Sequence, residues 1–80
     1  MIITLDSNDK LVLQTWKCQG KWELELIERS TGMVQILVCD TKEIALKTFR
    51  GMELDEIAAF MDKVGAVKCK VYKKNYRITG

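Results

Sequence analysis

The side chains able to do covalent chemistry are few and widely scattered. The three cysteines, Cys18, Cys39 and Cys69, stand far apart and form no C-x-x-C pair, so they do not read as a zinc site. The chain contains no histidine, which removes the commonest general base and the commonest nitrogen ligand for a metal. A nucleophilic cysteine needs a basic neighbour to form its thiolate, and only lysine or arginine could serve here. Cys39 and Cys69 alternate with apolar residues, the pattern of buried structural thiols; Cys18 is the remaining thiol candidate. Gly32 and Gly51 are isolated, so no glycine-rich phosphate loop is present. Glu23 and Glu25 share one strand face, as many solvated pairs do. The expectation is a protein that is not an enzyme and has no metal or cofactor.

What remains is binding. The stretch from Val67 to Tyr76, "VKCKVYKKNY", separates at a period of two. Val67, Cys69 and Val71 fall on one side, and Lys68, Lys70, Tyr72, Lys74 and Tyr76 on the other. Lysines on one face can neutralise phosphates and tyrosines can stack on bases. Such a stripe is also the ordinary wet side of a strand, where lysine discourages edge-to-edge pairing. Lys68, Lys70, Tyr72, Lys73, Lys74, Tyr76 and Arg77 are therefore the candidate binding residues at this end. Lys73-Lys74-Asn75 could turn the chain into a short "YRIT" ending, which would take Lys74 out of the stripe.

The charge distribution supports a binding role. Six of the 13 basic residues (Lys63, Lys68, Lys70, Lys73, Lys74 and Arg77) lie after Val64 or at Lys63, with none of the 11 acids among them. The rest of the chain holds seven basic residues against those 11 acids. A basic end on a mildly acidic body suits nucleic acid, and it equally suits an acidic protein surface.

These residues must be positioned by a small fold. Eighty residues make one domain, 1–80, near the lower limit for a self-sufficient core. A homodimer could complete so small a core. The start, "MIITLDSNDK", lacks the basic and long apolar regions of a signal peptide, and no apolar run reaches the length of a membrane span. Free thiols then suggest a reducing cytoplasm.

Turn chemistry divides the first half into four strands: "IITL", "KLVLQTWK", "KWELELIER" and "MVQILVCD". A two-residue loop at Gln19-Gly20 sets Lys17 opposite Trp22, Thr15 opposite Leu24 and Leu13 opposite Leu26. A three-residue loop at Ser30-Thr31-Gly32 would set Leu26 opposite Ile36 and Leu24 opposite Val38. Val34, Ile36 and Val38 would then share the apolar face of Leu11, Leu13, Trp22, Leu24 and Leu26. The second half changes period. "ELDEIAAFMDKVG" places Leu54, Ile57, Ala58, Phe60, Met61 and Val64 on one helical arc, ended by Gly65. "DTKEIALKTFRGM" is ambiguous: Asp40 and Glu43 suggest a capping box and a helix over 41–50, while its alternation permits a strand.

The expected architecture is α+β, a four-stranded antiparallel meander followed by one or two helices packed on one face and a C-terminal basic strand. Trp16 falls on the face away from this core, near Val12, Gln14, Ile27 and Leu37. It is either covered by residues 41–50 or free to anchor a partner. Glu23 and Glu25 on that face would repel a phosphate backbone laid across the sheet.

The succession of strands, helix and basic end is similar to several small single-stranded-DNA-binding folds. The size and compactness resemble stand-alone inhibitor proteins of phages and mobile elements. Both are likenesses of architecture, which does not fix function. The reading is a small protein acting by stoichiometric protein–protein contact, as an inhibitor or adaptor of a nucleic-acid-handling complex. The alternative is nucleic-acid binding along the basic C-terminal strand.

Overall fold

The structure is a computed structural model, and it describes residues 1–70. Five antiparallel strands pair in chain order: β1 (Ile2–Ser7), β2 (Leu11–Cys18), β3 (Lys21–Glu28), β4 (Met33–Cys39) and β5 (Val67–Lys70). Two helices, α1 (Lys42–Lys47) and α2 (Leu54–Lys63), connect β4 to β5. The expected α+β meander with helices on one face is the fold observed.

The β2–β3 hairpin turns on two residues, Gln19 and Gly20, both at positive φ (53° and 80°). That twist matches the flanking strands. It sets Leu13 opposite Leu26, Thr15 opposite Leu24 and Lys17 opposite Trp22, as the sequence predicts.

The β3–β4 hairpin differs from expectation by one residue. Ile27 pairs with Val34, Leu26 with Gln35 and Leu24 with Leu37. The loop therefore spans 29–32, one residue more than the three predicted. Gly32 is left-handed (φ 74°) as expected, and its N–H donates to the Glu28 carbonyl at 2.8 Å. Thr31 Oγ1 donates to Glu28 Oε1 (2.7 Å) and accepts from Met33 N (3.1 Å), holding the longer loop closed. A one-residue slip exchanges the two faces of a strand. Leu37 and Cys39 consequently pack with the main core, whereas Val34 and Ile36 join Val12 and Ile27 on the other side.

Both helices lie on the main-core face. Ala45 of α1, Phe49 of the turn after it, and Leu54, Ile57 and Met61 of α2 are all buried in one cluster with Leu13, Leu24 and Leu26. Helix α1 starts one residue later than the proposed capping box implies. Thr41, not Asp40, is its N-cap, with Thr41 Oγ1 accepting from Ile44 N at 3.2 Å. Asp40 instead pairs with Lys21 at 2.7 Å. Ala45 is its buried position, Phe49 is buried just beyond its end, and Ile44 is half exposed. Helix α2 begins where Glu56 Oε1 accepts from Glu53 N at 3.0 Å. It ends at Gly65 (φ 70°), with Ala66 N donating to the Met61 carbonyl at 3.0 Å, a Schellman closure. No helix among the described residues is long and apolar enough to cross a membrane.

Candidate functional site

The sheet face turned away from the helices carries the polar constellation of interest. Alternation along β2 places Val12, Gln14 and Trp16 there, and along β3 it places Glu23, Glu25 and Ile27. Val34, Ile36 and Val38 of β4 continue the face, with Val67 of β5 opposite Ile36. The helical segment does not cover Trp16, contrary to one expectation, because Ala45 and Phe49 belong to the opposite core. Leu37 is not its neighbour either; the one-residue slip sends Leu37 to the helix side.

Trp16 is committed to carboxylates. Its indole Nε1 donates to Glu25 Oε2 at 2.8 Å and to Glu23 Oε1 at 3.3 Å. Gln14 Nε2 donates to Glu25 Oε1 at 3.2 Å. The β2–β3 hairpin explains the arrangement: its register sets Trp16 directly opposite Glu23 and Gln14 opposite Glu25. Directly opposed residues are close enough for their side chains to meet. Glu25 is only 2 % exposed. Burial, helped by a hydrogen bond to Glu23 and opposed by those from Gln14 and Trp16, pushes its carboxyl up to about 7. Neither carboxylate has a salt bridge among the described residues.

Around this cluster the face is uneven. Val12, Ile27 and Val34 are buried, whereas Val38 and Val67 are 64 % and 66 % exposed. An aromatic ring, two acids and two exposed valines thus share one surface.

The basic strand is placed differently. Lys68 pairs in register with Gln35, on the helix side of the sheet. Its ammonium sits 3.0 Å from Asp62 of α2, which also accepts from Gln35 Nε2 at 2.8 Å. The Lys68 hydrogen bond holds the Asp62 carboxyl below its ordinary value, with Gln35 adding to the effect. Lys68 and Trp16 are therefore on opposite faces. Lys70 pairs with Met33 in the backbone register. Tyr72, Lys73, Lys74, Tyr76 and Arg77 lie outside the described residues, as does the turn proposed at Lys73-Lys74-Asn75.

Beside Lys68 and Asp62, a groove of about 490 Å³ opens between α2 and the sheet, floored by Leu11, Leu26 and Met33. Burial raises the Cys39 thiol above its ordinary value, disfavouring the thiolate; a hydrogen bond with Thr48 opposes this. The Cys18 thiol is also raised, by desolvation and then by the Glu23 carboxylate beside it. No three His, Cys, Asp or Glu side chains group to hold a metal among the described residues.

Sequence reasoning placed Trp16, Glu23 and Glu25 on one face but missed that they bond to one another. The signal was present, since the Gln19-Gly20 turn alone dictates the Trp16–Glu23 pairing. Comparison with protein families, with curated proteins and with solved structures finds no match to this chain.

Proposed function

We propose that this protein is a non-enzymatic, cytoplasmic binding protein that works by stoichiometric contact with a protein partner. The contact surface is the sheet face opposite the helices. The carrying observation is the sidedness of the fold: both helices pack on one face. The other presents Trp16, Glu23 and the exposed Val38 and Val67. An aromatic residue flanked by apolar and charged neighbours is the usual make-up of a protein-binding surface. The part-exposed Glu23 carboxylate on this face disfavours a phosphate backbone laid across it. Inhibition or adaptation of a nucleic-acid-handling complex is the role that suits a small chain of mixed charge without histidine.

Two experiments test this reading. In the first, labelled single- and double-stranded oligonucleotides are titrated at low and physiological salt. The wild type is compared with a variant changing Lys68, Lys70, Lys73 and Lys74 to glutamine. Absence of binding at low salt supports protein contact. Tight binding with a steep salt dependence, lost in the variant, replaces it with nucleic-acid binding along the C-terminal strand. In the second, a photo-crosslinking residue is placed at Val38 or, on the exposed surface of α1, at Lys47. Adducts to one defined protein from position 38 alone support the assignment. Adducts from position 47 alone move the contact to the helix side, and adducts to a second copy of the chain make the protein a homodimer.

A further inference from the structure

The Glu23–Glu25 pair is unusual for a sheet surface. Two carboxyl groups, two residues apart on one strand face, converge on a single indole N–H. Such a pair normally stays ionised only if a cation or solvent stabilises it. Glu25 is buried, and among the described residues no salt bridge reaches it.

Its surroundings can be followed element by element among the described residues. From β2 it faces Gln14 and Trp16, with the Cys18 thiol further along. From β4, Ile36 stands directly opposite Glu25 and Val38 opposite Glu23. From β1, Thr4 and Ile2 border Gln14 and Trp16. Lys21, the cation on the same face of β3, is engaged with Asp40.

We propose that one proton bridges Glu23 and Glu25 and that its loss opens this face of the sheet. In the protonated state, Glu25 carries the proton as an O–H that donates to Glu23, and both carboxyls accept from Trp16. When the proton passes to water, two like charges remain on adjacent same-face positions. They separate, Glu25 must hydrate, and the indole is no longer held by both groups. Because Glu25 is raised to about 7, the change falls in the physiological range. This inference deepens the proposed function, since it makes the contact face sensitive to pH. It concerns the isolated chain, however, so its failure would leave the contact assignment standing.

The test uses the full chain with Trp22→Phe, which leaves Trp16 as the sole tryptophan of the two. Its fluorescence, its quenching by acrylamide and its indole N–H resonance are followed across neutral pH. The expected result is a single transition centred near 7 with greater quenching on the alkaline side, absent in Glu25→Gln. Glu23→Gln should move the midpoint downward, because it removes a neighbour that holds the proton on Glu25. Cys18→Ser should leave the midpoint in place. A Trp16 signal that is flat across neutral pH, or that titrates equally in Glu25→Gln, would overturn the proposal. Should Glu25→Gln fail to fold, the side-chain carboxyl carbon resonances of the otherwise wild-type protein decide. A Glu25 midpoint at the ordinary carboxylate value of 4.5 sinks the bridge, and one near 7 sustains it.

Discussion

Met61→Ala tests how α2 sits on the sheet. Met61 is 0 % exposed and packs among the residues of the main core, including Leu24 and Leu26. The substitution removes three side-chain heavy atoms. At about 0.8 kcal/mol per buried methylene-sized group, the transfer loss is roughly 2 kcal/mol. The cavity left beneath a helix held at both ends adds to this, for a total of about 3 kcal/mol, within the roughly 2–5 kcal/mol typical of Met→Ala in cores. The whole fold has only about 4–12 kcal/mol to lose, at roughly 0.05–0.15 kcal/mol per residue. The thermal midpoint should drop by roughly 12–24 °C, at about 4–8 °C per kcal/mol for a domain of this size. Urea unfolding followed by far-UV circular dichroism measures the change directly. Two companions sharpen it. Met61→Leu should cost less than about 1.5 kcal/mol because volume is kept. Val64→Ala, at a position 49 % exposed, should cost less than about 1 kcal/mol. If Met61→Ala changed the unfolding free energy by less than about 0.5 kcal/mol, or by no more than Val64→Ala, α2 would be rotated away from its described seat.

Other expectations follow from single contacts. Thr41→Ala removes the cap of α1 and should destabilise by about 0.5–2 kcal/mol in urea unfolding, with Thr41→Ser largely restoring it. The Lys68–Asp62 pair is more than half exposed at both ends, so Lys68→Gln should shift the thermal midpoint by no more than a few degrees, and less at high salt. A drop like that of Met61→Ala would mean that Lys68 anchors β5 rather than decorating it. Stability should also depend on pH through Glu25. Its carboxyl is raised in the fold from 4.5 to about 7, so the native state binds the proton more tightly than the unfolded chain. This group's contribution is most favourable below 4.5 and is lost as pH rises to about 7. The difference in unfolding free energy between wild type and Glu25→Gln should therefore vary across that window; a constant difference would show that Glu25 is not proton-linked.

Much of the fold was legible because local chemistry specified it. Gln19-Gly20 admits a two-residue turn, and that turn alone carries the β2–β3 register. The helix at 54–63 announced itself through Leu54, Ile57 and Met61 at helical spacing and a glycine at its end. The β3–β4 register was not legible, because "MVQILVC" is apolar in both alternations. Val34, Ile36 and Val38 make one acceptable core face, while Met33, Leu37 and Cys39 make another. Gly32 adopts its left-handed turn whether the loop has three residues or four, so it does not decide. The Thr31 hydroxyl bonds and the packing of two helices over Leu37 and Cys39 choose the second face. The candidate site shows the same division. Trp16, Glu23 and Glu25 could be placed on a common face by counting. Their convergence on one N–H depended on side-chain reach, which periodicity does not encode. Lys68 looked like a free cation in the strand pattern, but its acidic partner lies on a helix packed from elsewhere in the chain.

The strictly sequential strand order has a consequence for how the molecule is made. Strands β2, β3 and β4 each pair with the strand synthesised just before, so these contacts close short loops and form early. The last strand is different: Val67 must find Ile36, 31 positions back, after two helices have been laid down between them. A chain emerging from the ribosome would therefore complete a four-stranded sheet with β4 still an open edge, and that edge stays available to any other strand until β5 arrives. The β4 edge therefore has a vulnerable interval, and the identity of the strand that ends it is settled by a race between the chain's own β5 and its surroundings.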